Sequence, residues 1–254
     1  MRTTRLATAT AAALVCLGAL SACGPDNSGQ DAARPAAEAT TPTTNPTKPS
    51  GPDKGIPDKA WMDTKSIPMD ESYHYTPLAA NAKQLSGTVQ FKGMELCHAP
   101  VAKDDEPLFT GTAAKSEVGF GGERWAAQQT LLFHGDPTHS SGAKQSTNLA
   151  QARLLETVKA CAKTAPGATV KVDSAPEAPY FAALLTIPQA DGSTVTLHEY
   201  VVSDGGVVSE LSVWATTKAG AQPKDAWKAP EDKYVGTGMG SPMCEAFPGC
   251  DGHA

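Results

Sequence analysis

Residues 24–60 carry almost no large apolar side chain, and this stretch limits where the chain can build a core. It is rich in Pro, Thr, Ala and Gly, as in Thr40-Thr41-Pro42-Thr43-Thr44-Asn45-Pro46-Thr47. Ordering a residue costs about 1–2 kcal/mol of backbone entropy, and nothing here buries enough surface to offset that. The segment therefore reads as a disordered tether, about 100 Å long in polyproline geometry and about 35 Å as a coil. Any fold must come from residues beyond it. The Thr/Pro cluster offers acceptors for O-linked sugar, whereas Asn45 precedes Pro46 and cannot take an N-linked one.

Ahead of the tether, Arg2 and Arg5 form a basic flank and residues 6–20 an apolar, Ala/Leu-rich run. A bilayer of about 30 Å needs about 20 apolar residues, so the run reads as a secretory signal rather than a span. Leu20-Ser21-Ala22-Cys23 comes next: one aliphatic residue, two small ones, then Cys. This matches a bacterial lipobox and resembles the lipoprotein class that is cleaved before the Cys. The resemblance implies removal of residues 1–22, a diacylglyceryl thioether on Cys23, and a place on the outer side of the cell membrane. One acyl chain binds a bilayer only marginally, and a second makes the anchor stable.

The rest is compatible with one modest domain. The chain has 254 residues, 40% of them hydrophobic, and a formal net charge of −6. An acidic chain without a Lys/Arg cluster does not suit nucleic acid. Of the six cysteines, Cys16 leaves with the signal and Cys23 takes the lipid. Cys97, Cys161, Cys244 and Cys250 remain for two disulfides. Three connectivities are open; Cys97–Cys161 with Cys244–Cys250 is favoured, because Pro248-Gly249 turns the chain between the second pair. A zinc site from Cys244, Cys250 and His253 is disfavoured by export to an oxidising compartment.

Residues 87–98 and 124–133 alternate apolar with polar and read as strands, with Trp125, Ala127, Leu131 and Phe133 on one face and Gln129 breaking it. Residues 148–164 read as a helix. Ala150, Leu154, Val158 and Cys161 form its apolar stripe, Asn148 and Gln151 resemble a capping box, and Pro166-Gly167 ends it. Strands are expected over 180–187, 193–202 and 207–216, with turns at Asp191-Gly192 and Asp204-Gly205-Gly206. Val195, Leu197, Val201, Val207, Leu211 and Val213 are read as inward. The expected fold is α+β, an antiparallel sheet packed by one main helix. The organisation is signal 1–22, tether 23–60, domain 61–217 and a disulfide-looped tail 218–254.

Motifs for catalysis are thin. His134-Gly135-Asp136-Pro137-Thr138-His139 places two imidazoles and a carboxylate in one loop, the donor set of a metal-dependent hydrolase, although Gly and Pro suit an ordinary solvated loop. Ser141-Gly142-Ala143-Lys144 is a Ser-x-x-Lys sequence whose companion motifs are absent in order. Asp104-Asp105-Glu106 lacks the alternating oxygens and central Gly of a calcium loop. No catalytic residue, metal or cofactor is assigned. The remaining route to function is through aromatics, with Trp61, Tyr73, Tyr75, Trp214 and Trp227 expected in loops or on the less apolar strand faces. Trp214, Tyr200 and His198 are candidates for a ligand cleft, set against packing of Trp214 under the tail and a surface position for His198. A wall component, a lipid or a small molecule is the expected partner, and a structural surface protein is the bland alternative.

The order of features resembles the extracellular sensor-type domain of the actinobacterial PknH-like family. The carriers are the Trp61…Ile67-Pro68 entry, the Trp-bearing strand 125–133, the helix 150–161 ending in Cys, and the hairpin 193–216. The likeness covers about residues 60–217 and implies ligand binding in a cleft without catalysis. The Cys244/Cys250 loop departs from the pattern. No kinase or transmembrane segment is read here, so signalling would pass through a separate partner.

Overall fold

The computed structural model describes residues 55–135 and 144–247. Its centre is one seven-stranded antiparallel sheet. In chain order the strands are β1 (Lys83–Leu85), β2 (Thr112–Gly119), β3 (Ala126–Phe133), β4 (Thr169–Val172), β5 (Tyr180–Pro188), β6 (Ser193–Asp204) and β7 (Val207–Lys218). They lie side by side as β1-β2-β3-β7-β6-β5-β4. The two Gly-containing turns are where the sequence places them. Gly192 sits at φ 82°, which a side chain would resist, and Asp204 pairs with Val207 across the second turn.

Helices cover both faces of this sheet, rather than one main helix on one face. On the first face lie α2 (Lys92–Leu96), α3 (Lys144–Lys159) and α4 (Cys161–Thr164). Ala150, Leu154, Val158 and Cys161 are fully buried there with Phe91, Leu132 and Leu197, as the stripe requires. On the second face lie residues 55–82, including the one-turn α1 (Asp70–Tyr73), and a 15-residue α5 (Asp232–Ala246). Val235, Met239 and Met243 of α5 join Trp125, Leu131 and Leu211 in that layer. Each such side chain contributes about 1.5–3 kcal/mol on burial, so the two layers share the work of holding the sheet.

Several expectations change. Residues 87–98 contain α2 instead of a strand, and Cys97 caps that helix. The 144–159 helix starts before Asn148, which is therefore an interior residue and not a cap. The region after Lys218 holds α5, a packed helix. Val195, Leu197 and Val201 face the α3 layer while Val207, Leu211 and Val213 face the α5 layer, so "inward" means two opposite directions. Trp61 and Tyr75 are buried. The Cys97–Cys161 disulfide is present and ties the C-terminal end of α2 to the start of α4, just after α3. Only this bridge lies wholly among the described residues, because Cys250 is outside them. The signal, Cys23, nearly all of the tether, Asp136, His139, His253 and most of Ser141-Gly142-Ala143-Lys144 also lie outside the described residues.

Candidate functional site

A large concavity opens at one end of the sheet, where β5 begins beside the end of β6 and Tyr180 pairs with Val202. There α3 overhangs from one face and α5 from the other, and residues 173–179 close the side. The space is about 1050 Å³. Its α3 wall presents Leu155 and Lys159, and Lys159 Nζ stands 5.4 Å from the centre of the Phe181 ring. Ser203 Oγ donates to Gln151 Oε1 at 2.6 Å and ties α3 to β6 at the rim. The α5 wall presents Lys233, Gly236, Thr237 and Gly240. A Cβ on Gly236 would fall 2.9 Å from Tyr180 Cβ, so only glycine lets α5 sit this close to β5. A Cβ on Gly240 would meet nothing nearer than Val202 Cγ1 at 3.7 Å, so space remains there. Cys244 lines the same wall, with Sγ 3.4 Å from Asp204 Oδ2. The lining is thus an apolar body with hydroxyls, two ammonium groups and the Asp204 carboxylate around it.

A second constellation is sealed inside the α3 layer. Glu199 on β6 and Glu210 on β7 are both fully buried. The register pairs Glu199 with Ser212 and Val201 with Glu210, which makes the two carboxyls diagonal neighbours on one face. Glu210 accepts from the backbone N–H of Lys92 at 2.7 Å and of Gly93 at 2.9 Å. Glu199 Oε2 accepts from Ser212 Oγ at 2.5 Å, while no donor reaches Glu199 Oε1. Burial first, then the Glu210 charge, push the Glu199 carboxyl well above the usual carboxylate range. Burial also raises Glu210, but its bond to Glu199, the Gly93 and Lys92 N–H groups and the Lys92 ammonium oppose that rise. Of the two, Glu199 therefore holds a proton the more firmly, and Glu210 is the better placed to carry charge. The signal for this pair was available only in part: the Asp204-Gly205-Gly206 turn fixes the diagonal, but nothing in sequence says that this face is covered.

The sequence candidates do not meet in one place. Tyr200 and His198 lie on the α5 face, and Trp214 lies on the opposite one. Tyr200 donates its hydroxyl to Asp232 Oδ1 at 3.2 Å and so joins β6 to the start of α5. His198 is not a surface residue. Its ring stacks on Trp227, centroids 3.5 Å apart and planes 2° apart, with Trp125 at 5.6 Å. Burial lowers its pKa to about 4, against a smaller upward pull from Asp173. Trp214 is covered by Lys92, whose Nζ is 4.7 Å above the ring, and not by the tail, which runs over the other face. His134 has both ring nitrogens engaged. Nε2 faces the Leu108 carbonyl at 2.8 Å and must carry the proton, so Nδ1 accepts from Thr147 Oγ1 at 3.1 Å. That leaves no lone pair free for a metal. Asp105 forms an ion pair with Arg153 at 3.3 Å. Among the described residues no group of three or more His, Cys, Asp or Glu is placed to hold a metal ion. Nor, among them, is any helix long and apolar enough to cross a membrane.

No family model matches this chain, and no curated protein matches it. Among solved structures it is similar to the extracellular domain of PknH from Mycobacterium tuberculosis, at 11% identity and a TM-score of 0.36. That match covers 65% of this chain and 80% of the other. A likeness this loose fixes neither family nor function.

Proposed function

We propose that the chain is a non-catalytic, extracytoplasmic binding module, lipid-anchored through Cys23, and that the cleft between α3 and α5 holds its ligand. The observation that carries this reading is the cleft of about 1050 Å³, a volume at the upper limit of what small-molecule sites occupy. Its apolar lining, with a few hydroxyls, two ammonium groups and one carboxylate, suits a wall component, a lipid or a small molecule. The buried carboxyl pair is walled off from that space and lines neither side of it. In this reading Cys244 pairs with Cys250 and braces the end of α5 beside the cleft.

The test uses the full chain, extracted from membranes in a mild detergent and weighed under native and denaturing conditions. The expected result is an extra mass that is lost on denaturation and is absent from Gly240→Leu, whose side chain fills the cleft. An identical extra mass in both proteins moves the site elsewhere. No extra mass in either favours a structural surface protein. Cys23→Ser tests the anchor separately, since the mature domain should then leave the membrane for the medium.

A further inference from the structure

We propose that Glu199 and Glu210, with Gly93 seated on them, form a proton-operated latch: one proton held on the pair keeps α2 docked, and its loss to water releases α2. The geometry has four parts. Both carboxyls are fully buried. Glu210 holds the first turn of α2 through two backbone N–H groups. Glu199 Oε1 has no donor, so only a proton of its own satisfies it beside an acceptor such as Glu210. Gly93 closes over this oxygen so tightly that an added Cβ would sit 2.6 Å from it, and 3.2 Å from Val158 of α3.

The surroundings leave the second charge uncompensated. From α2 the facing groups are Lys92 and Glu95. Lys92 divides its ammonium between the Glu95 carboxylate at 3.2 Å and the Trp214 ring. From β3 come Gln128 and Thr130, neutral and bonded to each other at 3.0 Å. From β7 come Ser212 and Trp214, and from β6 the apolar Leu197 and Val201. From α3 it is Val158 that approaches, while Arg153 is turned to Asp105 and Glu156, and Lys159 to Phe181. On β2, Lys115 and Glu117 share the face further out, Glu117 exposed and Lys115 half-buried. A second carboxylate at this depth has one partly engaged cation to meet it, and water reaches it only if α2 lifts. The Cys97–Cys161 bridge keeps the far end of α2 tied to the start of α4, so opening is a local hinge and not a loss of the fold. It loosens the packing behind Val158, on the helix whose other side forms the cleft wall.

The experiment is hydrogen exchange on the full chain between pH 5 and 9, corrected for intrinsic rates, with Glu199→Gln as the reference. Protection of residues 92–97 in the wild type should fall by up to tenfold per pH unit relative to the variant, which should be flat. Equal pH dependence in the two proteins overturns the latch. If Glu199→Gln does not fold, infrared titration of the wild type decides. The protonated-carboxyl band must be present at pH 5 and disappear in step with the loss of protection at 92–97. A missing band, or a band that titrates while protection holds, refutes the proposal.

Discussion

Glu199 and Glu210 are the same residue type on one sheet face, yet replacing each with Gln should have opposite effects. A Gln at 199 copies the shape and neutrality of the protonated acid, so Glu199→Gln should be nearly silent at pH 5. With rising pH the wild type loses stability relative to Glu199→Gln, because the native state retains a proton that the unfolded chain releases above a pKa of about 4.3. A group raised in the fold contributes fully below that value, and its contribution declines toward the raised native pKa. The slope is about 1.4 kcal/mol per pH unit per proton. Glu199→Gln removes the slope, so it should overtake the wild type above pH 5 by that amount per unit until the native pKa is passed. Gln at 210 is different. The two Glu210 oxygens accept separately from the Lys92 N–H at 2.7 Å and the Gly93 N–H at 2.9 Å, so turning either one into an NH2 group aims a donor at one of those N–H groups. Loss of a charge-assisted bond and burial of a donor against a donor should cost about 2–4 kcal/mol at pH 5 and at pH 8 alike. Urea unfolding of both variants at pH 5, 6.5 and 8, compared with the wild type, measures this. Equal effects, or a wild-type stability that rises with pH along the Glu199→Gln curve, would refute the assignment of the proton to Glu199.

The packing sets three further outcomes. His198 stacks on Trp227 with its pKa held down at about 4 by burial, so its contribution is intact above pH 6.5 and is lost as pH falls toward 4. That is about 3 kcal/mol in all, and an imidazole NMR titration with a midpoint near 6.5 would contradict it. Gly240→Ala should stabilise by about 0.5–1 kcal/mol in thermal unfolding, whereas Gly236→Ala should destabilise, since its Cβ has no room against Tyr180. Cys97→Ser with Cys161→Ser should cost about 4 kcal/mol, the loop-closure entropy of a bridge across 64 residues. A near-zero change in urea unfolding would mean that α2 and α3 stay associated without the bridge.

Local signals were legible where one rule acted alone. The stripe Ala150, Leu154, Val158 and Cys161 is a periodicity statement, and all four side chains are fully buried. The turns at Asp191-Gly192 and Asp204-Gly205-Gly206 are backbone statements, and the strands on either side of them are present. Helix α5 was missed because its sequence, Gly236, Gly238, Gly240 and Pro242 within one helix, has the propensity of a loop. Tertiary contact overrides propensity here. Gly236 and Gly238 admit Tyr180 and Ser66 at distances that any side chain would forbid, and Met239 and Met243 are buried on the same side of the helix as Gly236.

The carboxyl pair was hidden for a related reason. In β7 the even positions Glu210 and Ser212 look like a solvent face beside the odd positions Leu211 and Val213, and one-sided alternation is the ordinary reading of an antiparallel strand. That reading fails once helices cover both faces. Every residue of β3 is buried, Gln128, Gln129 and Thr130 included. Polar side chains at such depth must find partners within the protein. Gln129 finds Met62 N and Ser209 Oγ, and Glu210 finds α2. On the α3 face Glu199 is left with an oxygen that only a proton can satisfy. The least satisfied atom on that face is therefore the one whose chemistry depends on the medium, and it lies under the short helix that the disulfide leaves hinged.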